Sequence, residues 1–387
     1  MANKYTDTIT EVLYGTMESL QAEPVGILQS VQRNVSDVTK ASFGKEIESL
    51  VTGDVTINSA SSFTPQMGDI DGPEDSDGND TFKLTNHIFF DVSILPEQQR
   101  HANNTIGWKT QLNRRLLKGL RAGRNTIEGH LAAAMYQSAS RAIGTAGTTP
   151  FASNADLIED GMKIMVDSGI NRYQGDISAC LNSAAGTKMR KLTGLQKVNE
   201  AGTADLLRRG SLGSLFGCDI RESSQIASHT KGDADGYLVD LAEDYAVGSK
   251  TIHVDTGTGA ILAGDVVKFG SDTTEYVVVT GFAGDGDGDI VLGGDGLVNA
   301  VADGAAVTIS DSFTANLMYT SSAAEFASRT PDLGQDKAIF RSDIKDDLAD
   351  LNWCYSIYPG RGMQVLRVEM FAGYKVWNQR ELLILKG

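Results

Sequence analysis

The spacing of apolar side chains predicts two amphipathic helices. Near the N-terminus these side chains recur at steps of three or four residues, which predicts a helix from Thr6 to Leu20. The longest pattern of this kind runs from Thr105 to Ile143. Its apolar side carries Trp108, Leu112, Leu116, Leu120, Ile127, Leu131 and Met135. Gly119, Gly123 and Gly129 interrupt this spine helix and indicate a bend or a close neighbour.

Alternating apolar and polar positions predict strands on both sides of the spine helix. Between Gly53 and Leu95 two extended segments flank a polar centre, GDIDGPEDSDGND, and predict a long β-hairpin. From Phe151 to Arg221 helical and extended patterns alternate, as in a compact α/β lobe. Three strands are expected to close the chain as a sheet packed on the spine helix, namely Asn352 to Tyr358, Met363 to Phe371 and Tyr374 to Leu385.

A run of short β-patterns interrupts the chain between His229 and Ser312. Gly/Asp turns separate five predicted strands, which are Lys250 to Val254, Asp265 to Phe269, Glu275 to Thr280, Ile290 to Leu292 and Ala306 to Ile309. Several short strands at this spacing indicate a small barrel or sandwich. The strands after Ser312 are expected to complete the α+β fold that begins before His229. We therefore interpret the stretch between them as an inserted, self-folding β-module.

Charge is unevenly distributed along the chain. The formal net charge is −16, and the inserted segment alone holds 15 acidic residues against 3 lysines. Such a balance repels phosphate backbones and argues against a protein that coats nucleic acid by charge neutralisation. One strongly basic region lies between Glu97 and Glu128, where no acid occurs. Its members are Arg100, Lys109, Arg114, Arg115, Lys118, Arg121 and Arg124.

The sequence lacks the motifs of known catalytic and cofactor sites. It has no phosphate-loop Gly-Lys-Ser/Thr, no nucleophile elbow and no His-Glu-x-x-His. The five histidines are scattered, and Cys180, Cys218 and Cys354 sit in apolar patterns that predict buried free thiols. We therefore expect no catalytic residue, no cofactor and no metal site. With no long apolar run and no signal-peptide pattern, the expected location is the cytoplasm.

Two Asp-rich stretches raise the alternative of calcium binding. Asp75, Asp77 and Asn79 have the alternating spacing of calcium-loop ligands, but Asp80 stands where Gly is expected and Asn86 where a bidentate Glu is needed. The second stretch, AGDGDGDIVLGGDG, likewise lacks the Gly and the Glu and does not recur as a repeat. Solvated surface turns are the better interpretation of both.

The order of these elements resembles that of a known protein family. The stretches that carry the resemblance are AVGSKTIHVDTGTGAILAGDVVKF, NLMYTSSAAEFASRTPDL and GMQVLRVEMFAGYKVWNQRELLILKG. They are similar to the major capsid proteins of tailed bacteriophages, which have the HK97-like fold. In particular, they resemble the podophage coat-protein branch, which carries an inserted β-barrel.

The resemblance implies an α+β, HK97-like capsid fold with an inserted small all-β domain. It implies an N-terminal arm over 1–45, an extended β-hairpin loop over 46–100 and an inserted β-barrel over 229–312. A peripheral domain with the spine helix would combine 101–150 and 340–387. An apical domain would combine 151–228 and 313–339.

The function implied is that of a major capsid protein, which self-assembles into an icosahedral shell around a double-stranded DNA genome. Expected partners are copies of the chain in hexamers and pentamers, a separate scaffolding protein and a portal protein. A decoration protein and weak, non-specific contact with packaged DNA are further expectations, and a membrane is not. The protein would assemble in the host bacterial cytoplasm and reside in the virion capsid.

Opposite charges suggest where neighbouring copies touch. We expect the acidic tip of the hairpin loop to meet the basic side of the spine helix in a neighbouring copy. The expected contact residues are Asp69, Asp71, Glu74, Asp75 and Asp77 on the loop, and Arg114, Arg115, Arg121 and Arg124 on the helix. Alternatively, these arginines face the packaged genome. Alternative functions for the chain are an encapsulin-like compartment shell and an extracellular calcium-dependent binding module.

Overall fold

The computed structural model describes most of the chain outside the N-terminal arm and the hairpin loop. The described residues are 2–21, 25–33, 43–44, 46–51, 78–95, 107–174, 176–197, 210, 212–241, 244–284, 286–332 and 338–387. Helices are few and strands are many, which gives a mixed α+β architecture.

The first four helices are amphipathic and lie on the faces of two sheets, whereas the fifth has no buried residue. The helices are α1 (Ala2–Gln21), α2 (Trp108–Gln137), α3 (Asp156–Asp167), α4 (Ser183–Arg190) and α5 (Thr193–Gln196). The spine helix α2 ends six residues before the predicted Ile143. It stops because the Ser140 N–H donates to the Leu382 carbonyl at 3.0 Å, so the chain after α2 joins a sheet.

The strands alternate with turns rich in Gly and Asp. They are β1 (Gln32–Arg33), β2 (Glu46–Val51), β3 (Gly78–Lys83), β4 (Asn86–Ile94), β5 (Arg141–Gly144), β6 (Ile177–Leu181), β7 (Ser214–Leu215), β8 (Cys218–Glu222), β9 (Ser228–His229), β10 (Leu238–Val239), β11 (Thr251–Gly257), β12 (Val266–Phe269), β13 (Tyr276–Thr280), β14 (Gly286–Leu292), β15 (Val307–Ile309), β16 (Phe313–Thr320), β17 (Ala324–Arg329), β18 (Phe340–Asp346), β19 (Leu351–Gly360), β20 (Met363–Val376) and β21 (Leu382–Lys386).

The first sheet supports the spine helix. Its strand order is β1-β17-β20-β19-β18, with β4 paired to β20. The apolar side of α2 and the buried side of α1 pack on one face of this sheet and share one core. Gly119 and Gly123 permit this close approach, since a β-carbon at Gly119 would lie 2.4 Å from the Phe90 ring. The predicted packing of closing strands on the spine helix is confirmed for β19 and β20.

Of the hairpin predicted between Gly53 and Leu95, the structure describes only the part from Gly78 onward. Strand β2 pairs with β3, whereas β4 leaves the hairpin and pairs antiparallel with β20 along its whole length. Val92 and Ile94 are buried toward α2, so this strand buries more apolar surface in the sheet than a projecting hairpin would allow. The first strand of the predicted hairpin and its polar centre up to Asp77 lie outside the described residues, so the pairing of that strand stays a prediction.

The closing strands differ from the prediction at one break. Strand β20 runs without interruption through Phe371 and Tyr374, because β4 pairs with it as far as Ala372 and β17 pairs with it from Phe371 to Val376. The last strand begins only at Leu382, after a short 3-10 turn, and joins the second sheet between β16 and β5.

The second sheet carries the α/β lobe. Part of its strand order is β5-β21-β16-β6-β8-β7, and α3 and α4 cover the same face of it around a separate core. Its central strands β6 and β21 are buried along their whole length, which explains their continuous apolar sequence.

The module between His229 and Ser312 closes on itself. Neighbouring strands pair antiparallel in the order β10-β11-β14-β13-β12-β15. The circle is completed where the Val239 N–H donates to Ala305 and the Val307 N–H donates to Tyr237, both at 2.9 Å. The module has its own apolar core, and β11 to β15 cover the five predicted strands. The ranges assigned to arm, loop and lobes stay predictions.

Candidate subunit-contact surface

The basic residues of α2 form one charged face. Arg114, Arg115, Lys118 and Arg121 are exposed, and Leu116 and Leu120 are buried on the opposite side. This arrangement follows from the helical period of 3.6 residues, which separates the polar positions from the apolar ones. Between Trp108 and Ile127 the helix contains no acidic residue, so nothing within this stretch of α2 neutralises the face.

Arg124 does not belong to that face, and the prediction that it contacts a neighbouring copy is wrong. Its side chain is buried, and its Nη2 donates to Asp346 Oδ2 at 2.5 Å and to the Leu20 carbonyl at 3.3 Å. Arg124 follows Leu120 by four residues and precedes Ile127 by three, which places it on the apolar side of the helix. The spacing of these leucine and isoleucine residues was the signal that could have identified it.

The acidic half of the predicted contact cannot be placed beside the helix. Asp69, Asp71, Glu74, Asp75 and Asp77 all lie outside the described residues, as does Arg100 of the basic region. The proposed pairing of this loop with Arg114, Arg115 and Arg121 therefore stays a prediction. Lys109 is engaged at 3.4 Å by Glu11 of α1, and both side chains are exposed.

A second, half-buried cation fixes the segment after α1. Arg33 Nη2 donates to the Ala349 carbonyl at 2.6 Å, and the guanidinium lies 4.8 Å above the centre of the Phe326 ring. Burial lowers the pKa of Arg33 to about 10, although the carboxylates of Asp350 and Asp346 act against this shift. The side chain joins strand β1 to the turn between β18 and β19.

Glu128 attaches the same N-terminal segment to the spine helix. Its Oε1 accepts the Ile27 N–H at 2.7 Å. Burial raises the pKa of Glu128, while hydrogen bonds from Ile27, Ser223 and Gly26 and the charge of Arg124 oppose the shift. A β-carbon at Gly26 would lie 2.4 Å from this oxygen, so only glycine fits there.

The outer face of the first sheet carries an exposed cluster that the sequence did not reveal. Phe89 is 50% exposed, and the Arg367 guanidinium lies 4.8 Å from its ring centre. Arg367 also donates to both carboxylate oxygens of Asp91, at 2.8 and 2.9 Å. This hydrogen bonding lowers the pKa of Asp91. The pairing of β4 with β20 brings these residues together, and no sequence pattern indicates that pairing.

The barrel is held to the lobe by a buried carboxylate. Asp265 accepts from His229 Nε2 at 2.8 Å, from the Leu262 N–H at 2.7 Å and from the Gly232 N–H at 3.1 Å. The His229 ring in turn contacts Tyr136 of α2. These bonds fix the point at which the chain enters the barrel.

No group of three or more His, Cys, Asp or Glu side chains is arranged to hold a metal ion among the described residues. Of the second candidate calcium stretch, Asp287 and Asp289 lie on β14, and Asp289 binds His253 Nδ1 at 2.7 Å. This hydrogen bond raises the pKa of His253. Asp285 lies outside the described part of the chain.

The predicted buried free thiols are confirmed for Cys180, Cys218 and Cys354. Burial raises the pKa of all three, that of Cys218 to about 12. Such thiols are protonated at neutral pH and are poor nucleophiles. Within the described ranges, no helix is both long and apolar enough to cross a membrane.

Comparison with known proteins identifies the fold. No protein-family model and no curated protein matches the chain. Among solved structures, the capsid of cyanophage P-SCSP1u is similar over 94% of this chain and 88% of its own, with 13% identity and a TM-score of 0.50. Mycobacterium phage Che8 is similar over 94% and 92%, with 13% identity and a TM-score of 0.48. The first of these structures supports the predicted α+β architecture, and we conclude that the chain has the HK97-like capsid fold.

Proposed function

We propose that the protein is the major capsid protein of a tailed bacteriophage, which self-assembles into an icosahedral shell around double-stranded DNA. The observation that carries this proposal is the likeness in fold to the cyanophage capsid over 94% of the chain. The buried thiols and the lack of a metal-binding cluster among the described residues are consistent with a structural role. We assign the chain no catalytic activity, cofactor or metal.

The closed barrel supports a finer assignment. The chain enters and leaves the barrel beside the α/β lobe, as expected for the podophage coat proteins that the sequence resembles. Closure leaves no long unpaired strand edge, so an acidic module of this kind can be displayed on a surface without pairing to its neighbours. We place the protein in the podophage branch on this basis.

The contact between copies is proposed to use the basic face of α2. Its cations Arg114, Arg115 and Arg121 would form ion pairs with the acidic hairpin tip of a neighbouring copy. The carboxylates of this tip lie between Asp69 and Asp77. Each exposed pair contributes only about 0–1 kcal/mol, but the contact repeats at every copy and can set the register. Arg124 is omitted from this set because it is buried in an ion pair.

The proposal includes partners and a location. The shell would be built from hexamers and pentamers of the chain in the host bacterial cytoplasm, guided by a separate scaffolding protein and joined by a portal protein. A decoration protein would be an optional addition to the finished virion capsid. Packaged DNA would make weak, non-specific contact, because the net charge of −16 opposes strong binding.

Electron microscopy of the purified protein tests the proposal. The protein would be expressed alone and together with the products of neighbouring genes, and particles would be compared by negative stain. Closed shells of uniform diameter are expected. Monomers that persist with every neighbouring product would contradict the proposal. Nuclease-resistant DNA inside particles from infected cells would distinguish a genome shell from a compartment that encloses an enzyme.

A further inference from the structure

The two helices on the face of the α/β lobe lie over opposite ends of its sheet. In α3, Gly161 packs on β16 and β21, where a β-carbon would lie 2.9 Å from Met318 Sδ and 3.1 Å from Leu383. In α4, Gly186 lies beside Glu222 of β8. Because the strand order runs β21-β16-β6-β8, α3 and α4 form two separate flanks of the lobe.

The α3 flank is acidic. Asp156, Asp160 and Asp167 are exposed along it, and Lys163 is the one basic residue of the helix. Asp167 lies in the last turn of α3, where the helix dipole disfavours a carboxylate. The negative charge of Asp167 therefore does not stabilise the helix. A positively charged surface that contacts α3 from outside would explain a carboxylate at this position.

Apolar side chains are exposed beside these carboxylates. Val166 is 45% exposed and Tyr173 is 92% exposed. The backbone at Tyr173 is held in place, because Arg172 donates to both oxygens of Glu159 at 2.7 Å and the Tyr173 N–H donates to Asn171 Oδ1. Exposed tyrosine side chains are enriched among the residues that contribute most to protein–protein binding.

The flank formed by α4 and α5 is basic. Lys188, Lys191 and Lys197 are exposed, and the chain from Ser183 to Lys197 contains no acidic residue. Arg190 is paired with Glu222, so the exposed Lys188 and Lys191, of α4 and its end, supply the positive charge on which a contact with this flank depends. Its sign is opposite to that of the α3 flank of the same lobe.

We infer that the α3 flank of one copy docks on the α4–α5 flank of the next copy, through a head-to-tail contact between lobes. The partner of each flank is a second copy of the chain, because every lobe carries an acidic flank and a basic flank whose charges are complementary. A heterologous contact of this kind generates closed rings when its rotation closes. The inference rests on the proposed function and adds to it the surfaces by which lobes recognise each other.

Two charge-reversal variants of the full-length chain test the contact. One carries Asp160→Lys with Asp167→Lys, and the other carries Lys188→Glu with Lys191→Glu. All four side chains are exposed, so both variants should keep the melting temperature of the parent protein. Each variant alone should require about tenfold or more protein to assemble, because reversal converts attraction into repulsion at every contact. The variant Asp235→Lys, altered at an exposed site on the barrel, is the control.

Complementation separates lost recognition from general damage. A chain that carries all four substitutions should assemble again, because its flanks have exchanged sign. An equimolar mixture of the two variants should also associate, since each supplies the flank that the other lacks. Parent-like assembly of both variants alone, or failure of both the combined chain and the mixture, would overturn the inference. If the parent chain itself forms no shells, the proposed function fails instead.

Discussion

Arg124 and Asp346 form an ion pair inside the protein that joins the spine helix to the end of β18. Their atoms Nη2 and Oδ2 are 2.5 Å apart, and the side chains are 4% and 0% exposed. We predict that Asp346→Ala lowers the free energy of unfolding by about 3–5 kcal/mol, because it leaves the Arg124 charge buried without its partner. Urea denaturation followed by circular dichroism would measure the loss.

The double variant Arg124→Met with Asp346→Leu should recover much of this stability, since apolar side chains of similar size need no charged partner. Lys109→Met is the matched control, because it breaks the exposed pair with Glu11 and should cost about 0–1 kcal/mol. Equal losses for Asp346→Ala and Lys109→Met would contradict this account of the pair.

The glycines of the spine helix provide a second prediction. Gly119→Ala places a methyl group 2.4 Å from the Phe90 ring, and Gly123→Ala places one 2.6 Å from the Trp353 ring. Overpacking of this kind costs about 1–3 kcal/mol, which exceeds the gain of about 1 kcal/mol in helix propensity. Both variants should therefore melt at a lower temperature than the parent protein.

Gly129→Ala is the control for those substitutions. The nearest atom to its new methyl group would be Gln225 Oε1, at 4.0 Å, so no clash opposes the gain in helix propensity. It should raise the free energy of unfolding by up to about 1 kcal/mol. Stabilisation of all three variants would show that α2 does not approach the sheet as closely as described.

Glu128 should make stability depend on pH. Burial raises its pKa in the folded protein, so its favourable contribution is complete below the unfolded pKa of about 4.3 and is lost as the pH rises through the folded value. Glu128→Gln keeps an oxygen for the Ile27 N–H but cannot ionise. The stability of the parent should therefore fall relative to Glu128→Gln as the pH rises above about 4.3.

Denaturation curves at several pH values would measure this difference. Glu18→Gln, at an exposed position on α1, removes the same charge without burial and serves as the control. A difference between parent and Glu128→Gln that stays constant across the range would refute the assignment of the shift to Glu128.

Some of this architecture follows from the sequence, and some does not. The repeat of Leu112, Leu116 and Leu120 predicted the spine helix, because apolar residues that recur about every 3.6 positions lie on one side of an α-helix. The partner of β4 was not predictable, since alternation specifies an exposed and a buried face but not which strand lies alongside. The charge pattern grouped Arg124 with the exposed basic residues, whereas its spacing from Leu120 and Ile127 predicts the apolar side of the helix, where the structure buries it.

Asp265 is expected to control the attachment of the barrel. Asp265→Ala removes the acceptor for His229, Leu262 and Gly232, and each buried donor left unpaired costs about 1–3 kcal/mol. Amide hydrogen exchange should become faster at the base of the barrel while the protection of α2 remains unchanged. Asp311→Ala, which breaks an exposed pair with Lys231, should leave exchange nearly unaltered. Faster exchange throughout the chain would argue against a local attachment.

Charge reversal on α2 tests the proposed contact with the hairpin loop. Arg114→Glu with Arg115→Glu should impair shell assembly without lowering the melting temperature, because both side chains are exposed. Adding Asp69→Lys and Asp71→Lys to the same chain should restore assembly. Lys250→Glu with Arg361→Glu adds the same charge at exposed positions outside α2 and is the control. Normal shells from the α2 variant would exclude the contact.

The chain enters and leaves the barrel at adjacent points. Ser228 and His229 pair antiparallel with Thr314 and Phe313, so the two ends are separated by one strand spacing of about 5 Å. Any domain whose own ends lie equally close can be spliced in at this point without stretching the lobe. The junction is therefore a suitable insertion site, at which foreign domains or antigens can be grafted onto the protein.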